Sequence, residues 1–112
     1  MTVEDFLKLY EKNHWMEIVH TKKDSLSMLP TLCYGGAYNE SCTIDSEILK
    51  KEIKTITNSG LIVESKDMVD VNENGITFKW SFHSNDKIMN TTTVKYFYVG
   101  DKVFISGVRL EI

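Results

Sequence analysis

Residues 76–83, Ile76-Thr77-Phe78-Lys79-Trp80-Ser81-Phe82-His83, alternate apolar and polar side chains without a slip. Successive side chains of a strand point to opposite faces. One face therefore carries Ile76, Phe78, Trp80 and Phe82, and the other Thr77, Lys79, Ser81 and His83. A strand of this kind needs a core on one side only. It predicts a curved antiparallel sheet, packed on one face and wetted on the other. The earlier part of the chain has to supply the packing.

That earlier part reads as helical. Val3, Phe6, Leu7, Tyr10 and His14 recur at three- and four-residue spacing. Thr2 and Asp5 ahead of them resemble a capping box. Trp15, Ile18 and Val19 extend the stripe, so a helix is predicted over 3–19. A polar break at 20–24 and a stop at Pro30 bound a short second helix over 25–29. Thr31-Leu32-Cys33-Tyr34 has strand character, Gly35-Gly36 signals a turn, and 38–44 runs back. Asp45 then caps a third helix. It places Ile48, Leu49, Ile53 and Ile56 on one side and Lys50, Lys51 and Lys54 on the other, and Asn58-Ser59-Gly60 ends it.

After Gly60 the period changes from 3.6 to 2. Strands are predicted over 61–71 (with a polar interruption at 64–67), 76–83, 89–99 and 103–112. Turns separate them at 72–75, 84–87 and 100–101. The expected fold is α+β, with N-terminal helices packed on a curved antiparallel β-sheet. At 112 residues, with neither repeat nor linker, the chain reads as a single domain over 1–112.

Composition excludes several function classes. A formal net charge of -3 argues against nucleic acid, because phosphate binding needs a basic patch. The lysine groups at 22–23 and 50–54 read as solvated faces. No apolar run reaches the ~18 residues of a membrane-spanning helix, so no membrane partner is expected. Met1-Thr2-Val3-Glu4-Asp5 lacks the basic start of a signal peptide, and the chain reads as cytoplasmic. A mature secreted chain with an added Met would look the same, and Asn39-Glu40-Ser41 and Asn90-Thr91-Thr92 would suit it as glycosylation triplets. Cys33 and Cys42 are too few for a metal cage. They read as two free thiols, or as one bridge across a hairpin centred on Ala37 and Tyr38.

Two stretches carry a family resemblance. Thr31-Leu32-Cys33-Tyr34-Gly35-Gly36, followed by the helix from Asp45, resembles the first hairpin and third helix of the nuclear transport factor 2-like superfamily. Tyr96-Phe97-Tyr98-Val99-Gly100-Asp101-Lys102-Val103-Phe104-Ile105 resembles its last hairpin, and Val108-Arg109-Leu110 its closing strand. With the element order, the resemblance spans nearly the whole chain. It implies a cone-shaped α+β fold with ketosteroid-isomerase-like relatives; a cystatin-like fold is the alternative. It also implies a homodimer through the outer face of the sheet, where Lys79 and His83 lie. A pocket would sit inside, lined by Ile76, Phe78, Trp80 and Phe82 together with Phe6, Tyr10 and Ile53.

Candidate chemistry is sparse. Asp70-Val71-Asn72-Glu73-Asn74-Gly75 matches the first half of a calcium loop, but Ser81 stands where the closing Glu belongs. A hairpin turn explains the same residues, and no metal site is assigned. His14 continues the apolar stripe beside Tyr10. With Asp70 as the acid, these three form the catalytic set an enzyme would use to move a proton next to a carbonyl. The Asp–Tyr–Asp trio of ketosteroid-isomerase-like catalysis cannot be aligned here. Gly-x-Ser-x-Gly and phosphate-loop motifs do not occur, and no cofactor is implied. The chain reads first as a non-enzymatic binding or interaction module, dimeric, holding a partner protein or an apolar small ligand through Phe6, Phe78, Trp80, Lys79 and His83. The alternative is a small-molecule isomerase or dehydratase.

Overall fold

A computed structural model describes residues 1–10, 14–20, 30–38, 43–73, 75–82, 85–92 and 95–112. Two short helices, α1 (Val3–Leu9) and α2 (Ser46–Leu49), accompany eight strands. These are β1 (His14–His20), β2 (Thr31–Tyr38), β3 (Thr55–Val63), β4 (Met68–Asn72), β5 (Gly75–Phe82), β6 (Asn85–Thr92), β7 (Tyr96–Val99) and β8 (Lys102–Glu111). The α+β class stands, with far more sheet than helix.

The strands form two sheets rather than one. The first runs β2-β1-β8-β3, with β7 also on β8. β8 is its spine. Along one side it pairs antiparallel with β3 over its whole length. Along the other its first half takes β7, antiparallel, and its second half takes β1, parallel. The second sheet is the antiparallel meander β4-β5-β6.

Strand alternation then sorts the side chains into two cores. Trp15, Val103 and Ile105 from the first sheet meet Ile76 and Phe78 of β5, and Val63 closes the group. Met16, Ile18 and Leu110 point the opposite way, where Val3, Phe6 and Leu7 of α1 and Ile48, Leu49 and Ile53 cover them. The molecule is therefore layered: helices, five-stranded sheet, three-stranded sheet. Burying one large apolar side chain is worth roughly 1.5–3 kcal/mol. The fully buried Trp15, Met16, Ile18, Phe78 and Leu110 are thus the main stabilising groups.

The capping box forms as expected. Asp5 N–H donates to the Thr2 hydroxyl at 3.2 Å, and Thr2 N–H to the Asp5 carboxylate at 3.3 Å. The helix predicted over 3–19 does not continue. Tyr10 turns extended (φ -75, ψ 132), and His14–His20 is a strand. The reason is burial on both faces. All of Trp15 through Val19 is buried, so the strand shows no polar alternation, and its apolar run imitates a helical stripe.

Gly35-Gly36 is no turn either. Both residues lie inside β2, opposite Glu17 and Met16. Gly35 is there for close approach, since a Cβ at that position would stand 2.6 Å from the Trp80 ring. The return strand over 38–44 falls largely outside the described residues, as does the short helix over 25–29. The third helix keeps its cap, with Glu47 N–H donating to Asp45 at 3.0 Å, but it ends at Leu49. From Thr55 the β-branched run Thr55-Ile56-Thr57 favours a strand, and Gly60 sits mid-strand beneath Phe104.

The interruption expected at 64–67 is a 3-10 turn, Ser65–Asp67, and it carries the chain from one sheet to the other. The strand predicted over 89–99 is likewise two strands in different sheets, β6 and β7, and the turn expected over 84–87 gives way to the start of β6. The hairpin turn at Gly100-Asp101 forms, with Gly100 at φ +65 and Val99 paired with Lys102. The four strands expected after Gly60 in one antiparallel sheet are divided between the two sheets, β4-β5-β6 in one and β3, β7 and β8 in the other. No helix among the described residues is long and apolar enough to cross a membrane.

Candidate functional site

The residues expected to line one pocket lie on both sides of the five-stranded sheet. Phe78 packs on Trp15 with ring centroids 5.9 Å apart, and Trp80 meets Trp15 edge-on at 5.0 Å. Phe6 and Ile53 belong to the core on the other face of that sheet. Among the described residues, these rings pack on one another between the two sheets. Lys79 is exposed on the outer face of β5, and His83 lies outside the described residues.

Of the three catalytic candidates, the structure brings two together. Tyr10 and His14 meet edge-on at 5.9 Å, within an aromatic group that includes Phe6 and Tyr38. The Tyr10 hydroxyl donates to the Trp15 carbonyl at 2.9 Å, a bond that holds the end of α1 against β1. Asp70 is elsewhere. It sits exposed on β4, opposite Thr77 in the second sheet, and accepts a hydrogen bond from the Asn72 amide at 2.9 Å. That bond belongs to a hairpin end, with Asn72 paired to Gly75.

The strongest polar cluster is one that sequence reasoning missed. Glu17 is only 2% exposed, inside the apolar run of β1. Its carboxylate accepts from the Trp15 indole N–H at 3.0 Å. The Arg109 fork grips its other oxygen, with Nε at 2.9 Å and the second guanidinium contact at 2.7 Å. Glu17 and Arg109 are opposite each other in the β1–β8 register, on the same face as Trp15. A buried charge needs such a partner and such hydrogen bonds. Here they tie the two central strands together, a structural task. Cys33 carries a free thiol that donates weakly to the Thr31 carbonyl at 3.7 Å. Partial burial pushes its pKa up, which keeps it a poor nucleophile. Cys42 lies outside the described residues.

The described surface offers two depressions, one of about 300 Å³ lined by Leu7, Tyr38, Thr43, Ile44 and Leu49, and a second at the far end of the first sheet. The helices cover only the Val108–Ile112 end of the outer face of the first sheet. At the other end Phe97, Phe104 and Ile62 form one row across β7, β8 and β3. Phe97 and Phe104 meet at a 44° tilt with centroids 5.0 Å apart, and Phe97 stays 54% exposed. Beside this row lies a shallow depression of about 370 Å³ lined by Asn58, Ser59, Gly60, Phe104, Ser106 and Gly107. Along its margin runs β3, which pairs with β8 on one side only among the described residues. The site is thus a short apolar row beside a depression of small and polar residues, bounded by that edge. Its backbone donors and acceptors can take another strand, and its exposed rings can take apolar side chains. Compared with protein-family models, characterised proteins and solved structures, the chain gives no match.

Proposed function

We propose that this chain is a non-enzymatic protein-interaction module, which takes up another polypeptide at the β3 edge and the apolar row beside it. The observation that carries this reading is the contrast between rings packed together inside and apolar side chains left open outside. Trp15 and Phe78 are at most 1% exposed, while Phe97 and Ile62 lie open on the surface. A pocket enzyme or a carrier of a small apolar ligand would show the reverse. The outer face of the second sheet mixes Lys79 and Ser81 with the exposed Ile88, and no aromatic ring lies there among the described residues. The resemblance to nuclear transport factor 2-like proteins supports association through the sheet, although the division into two sheets departs from a single cone.

Selection from a displayed library of random peptides tests the reading. The expected winners alternate apolar and polar residues, as a strand added at a sheet edge does. Ile62→Lys and Phe97→Asp, both at exposed positions, should each weaken them about tenfold, or ~1.4 kcal/mol. Winners that bind both variants as tightly as the parent, or that respond instead to His14→Ala, would refute it.

A further inference from the structure

We infer that β3 is a self-pairing edge: two copies of this chain join antiparallel through Thr55–Val63, with Ser59 of each copy on the two-fold axis. This rests on the interaction-module reading and names the partner.

The first ground is that β3 is unguarded. Sheet edges are normally blunted by charge, proline, a bulge or brevity. Among the other strands, β7 has four residues, β4 has a bulge and Asp70, β6 contains Asp86 and Lys87, and β2 follows Pro30 and pairs across a bulge. Thr55-Ile56-Thr57-Asn58-Ser59-Gly60-Leu61-Ile62-Val63 has no charge, no proline and no register shift over nine residues.

The second ground is register. Pairing an edge with its own copy in one continuous antiparallel sheet puts the two-fold axis normal to the sheet. Residues opposite each other must then lie on the same face, so an axis passes through a residue. Centred on Ser59, the pairing sets Ile56 against Ile62 of the second copy, and Ile62 against its Ile56. These side chains are 50% and 65% exposed in the single chain. The same register sets Lys54 against Glu64 of the second copy at each end, so opposite charges close the seam. Moving the axis to Asn58 would put Ile62 against Lys54 and Ile56 against Gly60. Moving it to Gly60 would put Ile56 against Glu64. Only the Ser59 register matches apolar with apolar and lysine with glutamate.

The third ground is size. Nine residues make a seam roughly 30 Å long. An edge contact of that kind belongs with weak interfaces, below about 1,200 Å². The dimer is therefore reversible and depends on concentration.

Sedimentation equilibrium over a concentration series reads it directly, with a monomer–dimer equilibrium as the expected result. Lys54→Glu or Glu64→Lys alone sets like charges together at both ends and should weaken association about tenfold. The double variant Lys54→Glu/Glu64→Lys restores the pairs and should bring association back near the parent value. All three carry changes at exposed positions, and circular dichroism checks that they fold. A strict monomer at the highest soluble concentration overturns the proposal. So does a dimer that ignores the single reversals or is not rescued by the double one. A monomer whose β3 edge still takes up the selected peptides overturns self-pairing but leaves the interaction-module reading in place.

Discussion

Glu17 shows how much one side chain decides here. Its carboxylate is buried and held by Trp15 and Arg109, and nothing else on that stretch of β1 is charged. Arg109→Met should cost about 3 kcal/mol or more, because it strands a buried charge. The double change Glu17→Met/Arg109→Met should cost far less, since no charge is left behind. Urea denaturation measures both. The cluster is not legible in the sequence because its partners are 92 residues apart. Glu17 is visible there only as a break in Trp15-Met16-Glu17-Ile18-Val19. By contrast the capping box is legible, since its partners are three residues apart. Hydrogen bonds from the Thr2 side chain and backbone hold the Asp5 carboxyl below its ordinary 3.8. A depressed acid stabilises the fold above its unfolded pKa and loses that contribution as pH falls through the folded value. The end of α1 should accordingly fray only at pH below about 3.8, and Asp5→Asn should remove that acid-dependent step. Amide shifts of Val3–Leu9 followed through an acid titration give the answer.

At the scale of elements, legibility follows solvent contact. β5 and the β7–β8 hairpin have one wetted side or a marked turn, and the sequence shows both in outline. β1 has neither, being flanked by β2 and β8 and covered on both faces. Its residues therefore lack the period-two signature, and Gly35-Gly36 of its neighbour mimics a turn. Whether a strand is an edge or a centre is also invisible locally, which is why β3 does not stand out in the sequence. Strand Cα shifts over His14–His20 and slow amide exchange there are the expected NMR signature; helical shifts would contradict the assignment. Gly35→Ala tests the contact between layers. Its methyl group would collide with a Trp80 ring already packed on Trp15, at a cost of about 1–3 kcal/mol in thermal or urea unfolding.

For the whole molecule, layering is the basis of the proposed binding at the sheet margin. Among the described residues, rings from both sheets pack on one another, and the helices cover the far side at the Val108–Ile112 end. The uncovered end leaves Phe97, Phe104 and Ile62 exposed or half-exposed beside the long open edge of β3. That margin is where binding is proposed, and self-pairing of β3 is its most specific form. Backbone NMR spectra recorded from millimolar to micromolar concentration bear on that claim with the protein alone in solution. The expected result is a set of concentration-dependent shifts confined to Lys54, Thr55–Val63 and Glu64, with Trp15 and Phe78 unmoved. Shifts centred on Trp15, Phe78 or the Tyr10–His14 pair, or none along β3, would contradict self-pairing.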